Sequence, residues 1–391
     1  MTAPSPADLA SELARHGSAL RGLDRDRLLT AWDQTVESFR DPGSAERRRL
    51  ADPLARATGL SPPGLDAALE AVLGGARREV AATTFAAAQD FSAPLDPALV
   101  ILSGNLPALV VQTLLPALAL GRPALFKAPR QEPHFTAAFL ASLIRRLPVL
   151  GQATASAVWQ GGDPEIEAPL FERVGRILIY GDEAATADVA RRAPGKTHVY
   201  GPKTSLAIID EASPKEATIR GRGRDIALFD QRGCLSISAV FCTGDGRDLA
   251  QRLGRELARR ARQWPPGRPA LEAAATVRQW RETATLRGLF QADLDPAAGT
   301  VIVAPEATFL PSPGQRAVRV HPLQELADGL ESLRPWRGKL QGAALAGPQA
   351  WALRHRLTEL GLSRFAAVGE LQSPTASWHN GGRDPLAIIS E

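Results

Sequence analysis

Over residues 6–78 apolar residues recur at three- and four-residue spacing, as in Leu9 with Leu13 and Leu28, Leu29 with Trp32, and the pattern breaks at Asp41-Pro42-Gly43 and Ser61-Pro62-Pro63. That period is helical, and residues 1–94 are predicted to be a helical N-terminal segment. From Ala98 the texture changes. Leu99-Val100-Ile101-Leu102 is a continuous apolar run closed by Ser103-Gly104, the mark of a strand buried on both faces. Residues 107–120 are long and apolar enough for a buried helix, which Gly121 stops before a second strand at Ala124-Leu125-Phe126. Strand, helix, strand implies a parallel crossover. The alternation continues through a helix over 135–146 and strands near 157–159, 177–179 and 206–209, so residues 95–228 are predicted to form one open α/β sheet.

A second α/β set follows Cys234, with strands predicted at 237–241, 300–303, 317–320 and 340–345 and helices at 247–264, 269–290 and 323–333. The fold class is therefore α/β, with a second lobe over 229–362. A tail over 363–391 reads as strand and extended chain, expected either to return to the first lobe or to serve an oligomer interface.

Composition narrows the function classes. The 391 residues are 44% hydrophobic and 23% charged, the balance of a folded chain with two or three domains that need no staples. Only Cys234 and Cys242 are present, and no Cys/His group has zinc-ligand spacing, so neither a disulfide scaffold nor a metal site is expected and a reducing, cytoplasmic setting is. The opening residues lack a basic stretch followed by an apolar run, so no secretory signal is expected. The apolar stretch 106–120 is too short for a bilayer and contains Gln112, Thr113 and Pro116, so no membrane span is expected. The formal charge is +4, but five of the 46 basic residues are lysines and 41 are arginines, interleaved with acids as codon bias would give, which argues against a nucleic-acid partner and leaves an anionic small molecule open. Gly221-Arg222-Gly223-Arg224 is a short basic, flexible patch, and Arg220 to Arg224 reads as a solvated helix turn, with phosphate binding as the other reading.

The candidate chemistry centres on Phe229-Asp230-Gln231-Arg232-Gly233-Cys234-Leu235-Ser236, which puts a lone thiol after glycine at a loop junction. Backbone N–H groups facing the sulfur there would favour the thiolate; the other reading is a cysteine that simply packs. Cys242, at the end of an apolar run, fits the packing reading better. Asn105 is either a side-chain amide donor or the N-cap of the helix that follows.

Ser103-Gly104-Asn105-Leu106-Pro107, the apolar helix ending at Gly121, and Lys127-Ala128-Pro129 with Pro133 resemble the aldehyde dehydrogenase superfamily in order and spacing. Tyr200-Gly201-Pro202-Lys203, Phe229-Asp230-Gln231 with Gly233-Cys234-Leu235-Ser236, and a late Arg364-Phe365 with Gly369 resemble, more narrowly, the LuxC-type acyl-CoA reductases. The resemblance runs over nearly the whole chain. It implies an aldehyde dehydrogenase-like fold with a Rossmann-like cofactor domain and an α/β catalytic domain. It implies reduction of a fatty acyl thioester, on coenzyme A or a protein, to the aldehyde through an acyl group held on Cys234. Asn105 would then act with the Cys234 backbone N–H on the oxyanion. Cofactor contacts would fall on Ser103, Lys127, Arg130, Gly162, Gly181, Asp182 and Gly201. Partners implied are the acyl thioester, an acyl-activating synthetase and further copies of the chain.

Several positions depart from the superfamily. Where hydrolytic members carry a water-activating Glu this chain has Val199, which favours transfer to or from a thiol over hydrolysis. Where NAD-preferring members place Glu it has Arg130, which suits a 2′-phosphate, so NADPH is expected ahead of NADH. Asp182 in the pyrophosphate turn is unfavourable unless it caps a helix or points away. Pro311-Ser312-Pro313-Gly314-Gln315 replaces the element that meets the nicotinamide ribose, and no Gly-x-Gly-x-x-Gly follows the first strand. None of the six histidines is paired with Cys234 by spacing; His198 is the nearest candidate, against a packing role on a strand. The alternatives are an oxidising aldehyde dehydrogenase and a catalytically silent scaffold of the same fold.

Overall fold

The structure, a computed structural model, describes residues 4–20, 22–91, 96–210 and 215–391. It divides into two compact units, the first holding residues up to 58, 69–202 and 374–391, the second 59–68 and 203–373.

In the first unit five parallel strands, β1 (Ala98–Ile101), β2 (Ala124–Lys127), β3 (Thr154–Ala157), β4 (Arg176–Tyr180) and β5 (Thr197–Tyr200), lie in the order β3-β2-β1-β4-β5. The crossovers run through the helices Val110–Leu120, His134–Arg146, Pro164–Arg173 and Glu183–Arg192. Because both faces are covered, β1 and β2 are buried at every position, which is why they read as unbroken apolar runs. Leu99, Leu125 and Ile177 pack with Ala10 and Leu13 of the helix Pro6–His16. That helix opens with a capping box between Ser5 and Asp8. Farther along the helical segment, Trp32 and Phe39 meet Phe139 of the sheet helix His134–Arg146 at ring-centroid distances of 5.7 and 5.4 Å.

The second unit is built on six parallel strands, β6 (Thr204–Ile209), β7 (Ile237–Thr243), β8 (Thr300–Val303), β9 (Ala317–Leu323), β10 (Leu340–Ala346) and β11 (Arg364–Ala367), in the order β11-β10-β6-β7-β9-β8. Its core joins Leu206, Ile208, Phe241, Leu333 and Leu345. No helix among the described residues is long and apolar enough to cross a membrane, and no group of three metal-ligating side chains occurs among them.

Four expectations change. The strand at 204–209 was predicted in the first sheet, but it pairs with β10 and β7, so the division falls after residue 202 instead of 228; an apolar run does not say which sheet it joins. The expected boundary at 94/95 touches residues outside those described. The helix predicted from 107 begins at Val110, because Leu106 precedes a proline and Ala108 sits at a left-handed φ of 63°. The 363–391 tail splits, its strand β11 lying beside β10 and residues 374–391 lying in the first unit, where the Arg122 guanidinium donates to the Ile389 carbonyl. The Gly221–Arg224 patch is a helix turn, within Glu216–Ala227, but it is not solvated throughout, since Arg222 is buried. A Cβ on Gly221 would come within 2.4 Å of the Val368 carbonyl oxygen, and one on Gly223 within 2.3 Å of Glu256. Those glycines are there for a close approach.

Candidate active site

The sheet of the first unit changes direction at β1: the chain moves outward through β2 and β3, then returns to β4 on the other side. In open parallel sheets ligands bind at the carboxyl ends of the strands, at such a switch point. Ser103 and Asn105 follow β1, Lys127 ends β2, Gly162 follows β3, Gly181 and Asp182 follow β4, and Gly201 follows β5. The residues singled out in this half of the chain thus share one edge of one sheet, with Arg130 three residues beyond β2.

Lys127 is buried, and burial pulls its ammonium below the usual lysine range, with Glu167 opposing and Arg130 adding to the fall. Its Nζ lies 5.4 Å from the centre of the Trp159 ring, and no hydrogen-bond acceptor for it occurs among the described residues. On its other flank Gly161 leaves space, since a Cβ there would stand 3.8 Å from Nζ. Glu167, 1% exposed, anchors the loop after β3 by accepting from Trp159 Nε1 at 3.0 Å and from the Gly162 N–H at 3.1 Å, and by pairing with Arg192 at 2.5 Å. Gly162 is at φ 82°, a conformation glycine accepts without strain. Arg130 is exposed and donates to Gln160.

Asn105 is exposed and does not cap the helix Val110–Leu120, whose N-cap is Leu109. Its Oδ1 accepts from the Ser103 hydroxyl at 2.6 Å. Asp182 caps the helix Glu183–Arg192, accepting from the Ala185 N–H at 2.8 Å. Its carboxylate therefore occupies the helix N-terminus that a pyrophosphate would need. Val199 is 41% exposed. His198 stands edge-on to Tyr200 at 4.6 Å with Arg383 at 3.4 Å from Nδ1, and burial and that guanidinium push its imidazole down to about 4. It has the packing role.

In the second unit Cys234 occupies the first corner of a tight turn closed by the Ser236 N–H on the Gly233 carbonyl at 3.0 Å, immediately before β7. Its own N–H and that of Leu235 lie toward the sulfur. The residue is half-buried, and burial outweighs those donors and the charge of Lys203, pushing the thiol up to about 11. The expected donors are present, then, but the balance favours the thiol over the thiolate. Cys242 is buried in β7 with its thiol 3.8 Å from the His321 carbonyl, as packing predicts.

The turn is held from three sides. Ser205 Oγ donates to the Cys234 carbonyl at 2.8 Å, and Ser236 Oγ donates to Gln372 Oε1 at 2.9 Å. Gln231 Nε2 donates to the Ile237 carbonyl at 2.7 Å and to Ser312 at 3.2 Å, which brings the divergent 311–315 loop against the base of the cysteine loop. Phe229, Asp230 and Gln231 run at φ 57°, 49° and 62°, three consecutive left-handed residues without a glycine. Such backbone costs of order 1–3 kcal/mol per residue and persists only where its surroundings over-determine it. Here the buried Asp230–Arg316 pair at 2.7 Å does so, together with the Gly267 N–H on Asp230 Oδ2 at 2.9 Å.

Two residues beside the cysteine turn carried no site signal of their own in the sequence. Lys203 was visible only as part of a motif, although the order of β6 beside β7 places it at the strand end next to the cysteine turn. Ser205 was hidden inside a strand.

A profile of the acyl-CoA reductase (LuxC) family matches residues 55–389. No curated protein matches the chain at the level of sequence. Among solved structures, aldehyde dehydrogenase 21 from Physcomitrella patens with succinate bound superposes at a TM-score of 0.74 with 13% identity, over 98% of this chain and 87% of that one. The methylmalonate-semialdehyde dehydrogenase of Oceanimonas doudoroffii gives 0.74 at 13% identity over 97% and 85% of the two chains. An E. coli NADP-dependent enzyme gives 0.76 at 13% identity over 98% and 88%. At such identities the likeness is one of fold, the aldehyde dehydrogenase fold.

Proposed function

The chain belongs to the acyl-CoA reductase (LuxC) family, and from that premise we propose that it reduces a fatty acyl thioester to the aldehyde through an acyl group carried on Cys234. The observation that supports this reading best is the Cys234 turn, where a half-buried thiol sits with two backbone N–H groups directed at it.

In the first step Cys234 Sγ, as thiolate, adds to the thioester carbonyl; the bond to the carrier sulfur breaks, and the carrier leaves as a thiol bearing the proton that Sγ gave up. The oxyanion of the tetrahedral species is met by the Cys234 N–H, and the Asn105 amide has the family's donor role. Removing one such donor costs about 3 to 4 kcal/mol of barrier. The chemistry a reduced nicotinamide supplies when bound is the hydride that turns the acyl group into the aldehyde and frees Cys234.

The residues of the first unit fit a dinucleotide. Lys127 is a buried cation at the carboxyl edge of a parallel sheet, without an acceptor among the described residues, suited to ribose hydroxyls. Ser103, Gly162, Gly181 and Gly201 line the same edge, whereas Asp182 closes its own helix and serves only by capping. Arg130, exposed beside Lys127, favours NADPH over NADH because a guanidinium pairs with a 2′-phosphate. Val199 leaves no carboxylate at the hydrolytic position, so an acyl-enzyme is spared from water. An acyl-activating synthetase as supplier and self-association are part of the same reading.

Intact-mass measurement after exposure to acyl-CoAs of graded chain length tests it. The expected result is one acyl adduct, released by hydroxylamine and abolished by Cys234→Ala. Steady conversion of aldehyde and NADP to free acid without an added thiol would instead identify an oxidising dehydrogenase, and absence of any adduct a silent scaffold.

A further inference from the structure

β6 and β7 are adjacent and parallel, so the residues entering them lie side by side at the amino edge of the second sheet. Lys203 immediately precedes β6, and Cys234 lies three residues before β7. Lys203 is held there: its Nζ donates to the Gly338 carbonyl at 3.1 Å, in the turn that leads into β10 on the far side of β6. The cysteine side is held as firmly, by Ser205 Oγ, two residues beyond Lys203, on the Cys234 carbonyl at 2.8 Å. One strand thus carries both the ammonium and the clamp on the cysteine turn.

Other charged groups of the surrounding elements have partners of their own. Arg232, on the approach to the turn, donates Nε to the Phe229 carbonyl at 3.2 Å, with Asp230 as its charge partner. Arg364, entering β11, donates to the Leu371 and Glu370 carbonyls at 2.7 and 2.8 Å. Lys339 follows Gly338 in the same turn. His321 is committed to the Glu306 carbonyl at 2.7 Å. The charge that acts on Cys234 is that of Lys203, and the charge that acts on Lys203 is that of Cys234.

We propose that Lys203 is the charge partner of the nucleophile: its ammonium, fixed by the Gly338 carbonyl at the amino end of β6, stabilises the Cys234 thiolate in place of the histidine that a thiol nucleophile commonly uses. Burial opposes the pair, lowering the lysine and raising the thiol, and the charge of each partner works against that shift in the other. The proposal deepens the acyl-transfer reading and rests on it for its purpose, but its test does not need substrate.

The test is the pH profile of iodoacetamide alkylation at Cys234, read by peptide mass mapping on the full chain and on three variants. Lys203→Met removes charge and donor, Lys203→Gln removes the charge but retains a donor for Gly338, and Lys203→Arg retains the charge. Charge stabilisation predicts that Met and Gln variants both alkylate at least tenfold more slowly at pH 8, with midpoints displaced upward, while Arg stays within about threefold of the parent. If the Gln variant behaves as the parent, Lys203 merely braces the Gly338 turn and the proposal is overturned; superimposable profiles for all three overturn it too. Should Lys203→Met fail to fold, the Gln and Arg pair decides alone. Acylation assays on the same proteins separate the two ideas, because loss of the acyl adduct with an intact alkylation shift removes the substrate reading and leaves the ion pair standing.

Discussion

Ser103 Oγ donates to Asn105 Oδ1 at 2.6 Å, so the serine hydroxyl two residues before it holds the oxygen of the asparagine amide and fixes which way round the amide sits. An asparagine that supplies an oxyanion donor needs that orientation. The sequence suggested a cofactor contact for Ser103; the hydrogen bond adds a positioning role toward Asn105 that kinetics can separate from it.

Ser103→Ala is expected to lower kcat roughly tenfold with little change in the KM for acyl thioester, the size of one lost hydrogen bond. Asn105→Ala should cost about 10²- to 10³-fold in kcat. Equal losses from the two changes, or a Ser103→Ala effect confined to the KM for the nicotinamide, would assign Ser103 to the cofactor.

Asp230 and Arg316 are buried together beneath the strained approach to Cys234. Asp230→Asn leaves the guanidinium uncompensated, and a loss of about 3 to 5 kcal/mol is expected from chemical denaturation. Relaxation of the left-handed run at 229–231 should also speed Cys234 alkylation at fixed pH. A stable variant with parental alkylation would mean the pair does not hold the loop.

Asp225 and His198 give the fold opposite responses to pH. Burial raises the Asp225 carboxyl from 3.8 to about 6, against the Gly369 N–H and Arg224. The folded state therefore holds that proton more tightly than the unfolded chain, and the associated stability, about 3 kcal/mol, is present below pH 4 and lost as pH rises to about 6. The His198 imidazole is depressed to about 4, so its contribution is present above pH 6.5 and lost as pH falls toward 4. Thermal melts of Asp225→Asn should lack the decline between pH 4 and 6, and those of His198→Phe should lack the acid-side loss. Parallel curves for parent and variants would refute both assignments.

Gly221→Ala should destabilise the second unit by about 1 to 3 kcal/mol, because the added carbon meets the Val368 backbone, which has no rotamer with which to yield. Gly288→Ala, where nothing lies within 4 Å of the added carbon but φ is 65°, is the comparison; its effect reports backbone strain alone and should be the smaller.

Much of this protein is legible along the chain. The two-face burial of β1 and β2 is written in Leu99-Val100-Ile101 and Leu125-Phe126, and the helical segment in the spacing of Leu28, Leu29 and Trp32, because local burial imposes a period on neighbouring residues. Cys234 and Asn105 were singled out because their motifs are contiguous. What the chain does not carry is pairing between distant segments. Whether residues 204–209 join the first sheet or the second depends on which strands flank them, and that choice takes Lys203 into the second sheet, next to the strand that follows the Cys234 turn. The same choice puts Ser205 on the Cys234 carbonyl. Local order is dictated by residues a few positions apart, while the electrostatic surroundings of the sulfur come from groups 29 to 31 positions or more than a hundred away, Ser205, Lys203 and Gly338 among them, and only tertiary packing gathers those.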